Sequence, residues 1–263
     1  MISLVIITSV ENRHRYFANA LSQQFRILGV LSEKKRPTSI FETKEENEIV
    51  TEHFRQRNQA EAMYLGAQKE FLTSGAEIRE VDNGEVNSEE TFNWIKDKQP
   101  DYVILFGSSI IKPPLLSYYD NKIINIHLGL SPYYRGSGTN FWPLVNNEPE
   151  CVGATIHLAI LKVDAGVILA QVRPVIEDAD RCHDIGCKTI QAGTDMMISS
   201  IKSYHTGKVR GRPQNSNVGR LYKKADFNPE AVIKMWDNFD KGMIPTYLAD
   251  KVNRDIHYPI IFL

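Results

Sequence analysis

The sequence predicts an α/β protein: a mostly parallel, twisted sheet with flanking helices, followed by a small C-terminal extension. Three observations carry that expectation. Apolar, β-rich runs at 2–9, 27–31, 102–106 and 122–127 lack polar alternation, as strands covered on both faces do. Stretches with helical spacing at 13–24, 46–73 and 87–98 lie among them. Strand and helix in this alternation mark a parallel sheet wound by crossover helices. After Gly207, Gly, Pro, Asn and Ser become frequent, which sets a boundary near 206 between a main unit, 1–206, and an extension, 207–263.

Residues 2–9 form the first expected strand. Tyr16, Phe17, Ala20 and Leu21 fall at helical spacing within 13–24, and 27–31 is the second strand. The charged, Pro-containing stretch 33–45 reads as a surface loop. Residues 46–73 read as one long helix, polar over most of its surface, with Phe54, Met63, Tyr64 and Phe71 available for packing. A strand at 76–81 comes next. A helix over 87–98 follows, with Asn87 as N-cap and Glu90 three residues on, as in a capping box. The Pro113-Pro114 segment joins the strands at 102–106 and 122–127. Two more strands are expected at 152–158 and 167–175, then helices at 181–205 and 229–237.

Composition narrows the function classes. A hydrophobic share of 42% and a charged share of 24% are those of an ordinary soluble chain, and 263 residues suffice for one sizeable core. The net charge of −1 argues against a protein that grips nucleic acid over a large surface. The apolar N-terminal stretch has no basic lead-in and is too short to cross a bilayer. It reads as a buried strand, not a signal peptide or membrane span. Three cysteines make no disulfide framework, and the cytoplasm is the expected compartment. Cys182, His183 and Cys187 lack a second ligand pair, so no metal site is expected.

The chemistry concentrates at one strand end, I-N-I-H at 124–127. Alternation puts Asn125 and His127 on one side of the strand, two residues apart. In open α/β sheets, ligands sit beyond the carboxyl ends of strands. An amide donor beside a proton carrier there suits acyl transfer to an amine, although a His at a strand end also serves to satisfy a loop carbonyl. V-D-A-G at 163–166 supplies Asp164, a carboxylate that can orient His127, or an Asx-type turn. L-S-P-Y-Y-R-G-S-G-T-N at 130–140 is a shaped loop directly after the His strand. Its Gly136-Ser137-Gly138 does not complete a dinucleotide fingerprint and is misplaced for one.

Taken in order, P-D-Y-V-I-L-F-G-S (100–108), I-N-I-H-L-G-L-S-P-Y-Y-R-G (124–136), Trp142, G-A-T-I-H-L (153–158) and V-D-A-G-V-I-L-A-Q (163–171) resemble the folate-dependent formyltransferase family. The resemblance implies a Rossmann-like fold, with 1–206 as catalytic domain. It implies transfer of the formyl group of 10-formyltetrahydrofolate, a co-substrate, to an amine through a tetrahedral intermediate. By position, Asn125 polarises the formyl carbonyl, His127 moves the proton and Asp164 supports His127. Ile110, Ile111 and Lys112, with Leu161 and Val163, match segments lining the pteridine pocket, and His157 falls near the site. Leu128-Gly129 stand where the family commonly has Pro-Ser, and Ser131 replaces a Leu, which alters the loop but none of the three catalytic positions.

Among the family's acceptors, the sequence most resembles the enzymes for GDP- or dTDP-linked amino sugars. The tail is too short for the usual barrel of methionyl-tRNA formyltransferases. The first loop, S-V-E-N-R-H-R-Y, lacks the glycines of the glycinamide ribonucleotide enzymes. Arg13, His14 and Arg15 at the start of the first helix are candidates for a phosphate or pyrophosphate, with Arg135 and Gly136 of the later loop. Exposed charges at a helix start are the alternative. Segment 208–224 carries six Lys/Arg and no acid, as phosphate contacts or as a solvated linker. A nucleotide-sugar substrate, a homodimer through the C-terminal part and a setting in cell-surface polysaccharide synthesis, such as lipopolysaccharide O-antigen, complete the expectation. A non-catalytic nucleotide-sugar binding protein is the reading from a different class; it leaves Asn125, His127 and Asp164 without a purpose.

Overall fold

The computed structural model describes residues 1–35, 41, 43–215 and 217–263. The loop expected over 33–45 lies in part outside these residues. In chain order the main elements are β1 (Ser3–Thr8), α1 (Asn12–Ser22), β2 (Arg26–Glu33), α2 (Lys44–Leu65), β3 (Glu77–Val81), α3 (Glu89–Lys98) and β4 (Tyr102–Leu105). They continue with α4 (Leu115–Tyr118), β5 (Ile123–His127), β6 (Tyr134–Gly136), α5 (Trp142–Val145), β7 (Ala154–Leu158), β8 (Ile168–Val172) and α6 (Cys182–His205). After residue 206 come β9 (Arg220–Tyr222), α7 (Pro229–Asp240), α8 (Met243–Ala249) and α9 (Lys251–Ile256). Among the described residues, no helix is long and apolar enough to cross a membrane.

The strands form a seven-stranded sheet in the order β3-β2-β1-β4-β5-β7-β8. The five from β3 to β5 are parallel, as expected; β7 and β8 add antiparallel. No crossover helix returns the chain between β7 and β8, so these two can only run back and forth. The β5–β7 register sets Asn125 opposite His157 and His127 opposite Thr155.

Both faces of the sheet are covered. Leu4 and Ile6 of β1 pack toward Phe17 of α1 and Met197 of α6, while Val5 and Ile7 pack with Trp94 and Ile95 of α3 on the other side. That is why β1 is apolar without interruption. Gly29 of β2 lets Trp94 approach: a Cβ there would lie 2.6 Å from the indole ring. A third cluster joins Tyr134, Trp142 and Ile185 to Ala231, Met235, Phe239, Ile244 and Tyr247, so residues before and after 206 share one apolar core.

Two of the helix boundaries that differ from expectation have a visible cause. α2 stops at Leu65, not 73, because Gly66 takes φ 69° and ψ 168°, outside the helical region. The chain after it is claimed by side chains of α1: Asn12 donates to Gly66 O at 2.8 Å, and Asn19 accepts from Leu72 N–H at 2.6 Å. The cap of α3 is Ser88, whose Oγ accepts from Thr91 N–H at 3.1 Å, not Asn87. Asn87 is turned instead to the loop after β4, donating to Ile110 O (2.9 Å) and accepting from Lys112 N–H (2.8 Å).

Candidate active site

Asn125, His127, His157 and Asp164 meet at the carboxyl end of β5. His157 Nδ1 faces Leu158 O at 2.9 Å; a carbonyl only accepts, so this nitrogen carries the proton. Its Nε2 is then free to accept from the Asn125 amide at 3.0 Å. Asp164 lies between the two imidazoles, Oδ2 3.3 Å from His127 Nδ1 and Oδ1 3.4 Å from His157 Nε2. Gly136 N–H donates to the same carboxylate at 2.9 Å, and His127 Nε2 donates to Tyr134 O at 3.0 Å. Strand β6 therefore touches both members of the His127–Asp164 pair through its backbone.

The electrostatics follow from burial. Desolvation pushes the Asp164 carboxyl up, but the two histidines and Gly136 N–H outweigh it and hold the group well below the usual carboxylate range. Burial pushes His127 below its ordinary value more than the Asp164 charge lifts it. His127 is thus neutral at neutral pH, with Nε2 protonated toward Tyr134 and Nδ1 beside a carboxylate that awaits a positive charge.

These groups line a cavity of about 710 Å³. Ile110, Ile111, Val163, Arg13, His14 and Gly136 also line it; Lys112, Leu161, Arg15 and Arg135 lie outside its lining. Leu161 is exposed, and Lys112 is held by its N–H to Asn87. Arg15 donates to Gln68 O at 3.3 Å, and Arg135 is buried in β6. Arg13 pairs with the buried Glu61 at 2.7 Å. His14 is buried against Phe106 and 2.6 Å from Glu11, and burial lowers its pKa to about 4, so it presents no positive charge at neutral pH. Among the described residues, no group of three or more His, Cys, Asp or Glu side chains is placed to hold a metal ion.

Residues 3–201 match the family model described as formyl transferase. The chain belongs to the formyl transferase family. It is 24% identical over 205 residues to methionyl-tRNA formyltransferase of Finegoldia magna, an alignment covering 75% of this chain and 64% of that one. The chain spans between 43% and 64% of the length of the curated methionyl-tRNA formyltransferases that it matches. The fold is similar to phosphoribosylglycinamide formyltransferase from Anaplasma phagocytophilum (TM-score 0.57, 19% identity, 84% of this chain and 98% of that one). It is likewise similar to a sugar N-formyltransferase from a Shewanella species (TM-score 0.55, 19% identity, 86% and 78%).

Two features of the cavity wall escape a reading of the sequence. The first is the tie between β6 and the tail. β9 pairs parallel to β6, Tyr134 opposite Arg220 and Gly136 opposite Tyr222. Arg220 grips Glu148 with both guanidinium nitrogens, at 2.8 and 3.0 Å, and both residues contact the Tyr134 hydroxyl. Gly136, at φ 91°, lets the strands close: a Cβ would sit 2.1 Å from Tyr222 O. The second is the face of α2 that carries His53, Arg57 and Glu61, spaced by four residues, into the cavity. That i, i+4, i+8 run was the available signal; its partners, Phe141, His183 and Phe227, come from distant segments.

Proposed function

We propose that this chain moves a formyl group from 10-formyltetrahydrofolate to the amine of a nucleotide-linked amino sugar. The observation that carries the reading is the continuous set of contacts Asn125–His157–Asp164–His127 on the wall of one cavity. The volume of about 710 Å³ falls within the roughly 300–1,000 Å³ of small-molecule sites. Half-exposed Ile110 and Ile160 give its rim apolar surface suited to a flat pteridine, and Asn87 fixes the backbone of 110–112 beneath. The folate, when bound, supplies the formyl carbon.

The residues divide the work as follows. Asn125 has an amide with a second N–H to offer the carbonyl oxygen as negative charge develops on it; such a donor is worth about 2.7–4 kcal/mol. His127, kept neutral by burial, takes the proton that the attacking amine loses, at Nδ1. Asp164 stabilises the imidazolium so formed, and His157, accepting at Nε2, keeps Asn125 in orientation. Arg13, Lys35 and Lys223 on the same lining favour an anionic acceptor such as a nucleoside diphosphate. The sequence relatives support a second reading, in which the acceptor is methionyl-tRNA; glycinamide ribonucleotide is the third acceptor to be tried.

The test is turnover of purified protein with 10-formyltetrahydrofolate and a panel of acceptors: amino-sugar nucleotides of several bases, glycinamide ribonucleotide and methionyl-tRNA. Formylation of one nucleotide amino sugar, lost in Asn125→Ala and His127→Ala, is the expected result. Turnover on another acceptor alone overturns the choice of amine, and failure to bind folate or turn over anything overturns the reaction.

A further inference from the structure

We infer that the cavity contains a second subsite, a slot that stacks and reads the nucleobase of the acceptor, built by His53, Phe54, Arg57, Phe141, His183 and Phe227. This rests on the acceptor reading above. All six residues line the cavity that holds Asn125 and Asp164. Their rings gather around His53, with centroids 4.5 Å away for His183, 5.4 Å for Phe141 and 5.7 Å for Phe227. Phe54 and Phe227 stack at 5.6 Å, and the Arg57 guanidinium lies 4.6 Å over Phe54. Phe54, Phe141, His183 and Phe227 are only half-buried, so they keep surface open to a ligand.

An apolar box of this kind would take any greasy group. The polar atoms within it make the choice narrower. His53 Nδ1, His183 Nε2 and Arg57 Nε are buried and have no hydrogen-bond partner among the described residues; Arg57 Nε is 3.7 Å from Glu61, beyond hydrogen-bonding reach. Buried groups left so are unfavourable until something satisfies them. Burial also lowers His53 to about 3 and His183 to about 4, so each ring is neutral, and His183, which bonds the backbone at His53, keeps Nε2 for a ligand. A planar heterocycle edged with carbonyls and N–H groups meets both demands, with π-faces for the phenylalanines and an edge for the imidazoles and guanidinium. Along α2, Arg57 leads to Glu61 and thence to Arg13, which places cations between the slot and the loop after β1, where a diphosphate would span.

Binding of UDP, dTDP, GDP and inorganic pyrophosphate to the full chain, measured by calorimetry without folate, tests the slot apart from formyl transfer. The expected result is that one nucleoside diphosphate binds tighter than pyrophosphate. Phe227→Ala should weaken it by roughly tenfold, a loss typical of one stacked base, and leave pyrophosphate unchanged. His53→Gln, which preserves a polar group and is checked by its melting temperature, should change the preference among bases. Nucleoside diphosphates binding no tighter than pyrophosphate, or binding to Phe227→Ala within twofold of the parent, overturns the slot. Base-dependent binding lost in Phe227→Ala, together with turnover only on another acceptor, keeps the slot and overturns the amino-sugar reading.

Discussion

Asp164 holds a left-handed backbone conformation, φ 47°, that most side chains disfavour and Asp tolerates. From it the carboxylate reaches two imidazoles and one backbone N–H at once. Asp164→Asn keeps the shape but replaces one acceptor oxygen by an amide that cannot answer a positive His127. The expected outcome is a kcat lower by about 10²–10³-fold with the fold intact, read from steady-state rates and circular dichroism; activity within threefold of the parent would remove Asp164 from the mechanism. At this scale the alternation of Asn125 and His127 on β5 was visible in four letters of sequence, because period two fixes which side chains share a face. The role of His157 was not: it depends on an antiparallel register that brings residue 157 opposite 125. The neutrality of His14 is not legible in the sequence either, since residue type gives no measure of desolvation.

Among the elements, β6 matters most. It is three residues long, and its grip on β9 depends on Arg220, whose pairing with Glu148 is half-exposed and so adds little to stability, about 0–1 kcal/mol. Its value is positional. Arg220→Ala should therefore leave the melting temperature nearly unchanged yet lower kcat roughly tenfold, with KM for folate unmoved, since small misplacements of catalytic groups are expensive in rate. A loss confined to melting temperature would make the contact merely structural. The parallel core and most strand positions were legible from uninterrupted apolar runs, and the C-terminal helix near 229 from its spacing. The end of α2 was not, because Asn12 and Asn19 terminate it from another element, nor was the exchange of Asn87 for Ser88 as cap, which turns on a one-residue choice between equally good capping side chains. β6 falls within the stretch expected as a loop over 130–140, because three residues carry no periodicity.

The whole molecule carries an acid liability. His14, His53 and His183 are held neutral by burial, at about 4, 3 and 4, against an ordinary value of 6.5. In the window from 6.5 down to about 4 the unfolded chain binds protons at these positions and the native chain does not, so stability rises with pH there and is lost as pH falls. Urea midpoints should be flat between pH 7 and about 8, below the range where thiols ionise, and drop steadily below 6.5, less so in His53→Gln; a midpoint unchanged between pH 7 and 5 would contradict it. The cavity as a whole was the least legible feature, because its aromatic wall is gathered from α2, α6 and residues 141 and 227, which only the fold brings together. Consider last what it means that Tyr134 and Gly136 serve His127 and Asp164 through main-chain atoms. No change of letter at those two positions deletes a carbonyl or, proline apart, an N–H. Inherited damage to the chemistry can thus enter through positions in the tail that touch no reactant, and a map of deleterious variants would show a second cluster around Arg220 and Tyr222, remote in sequence from the first.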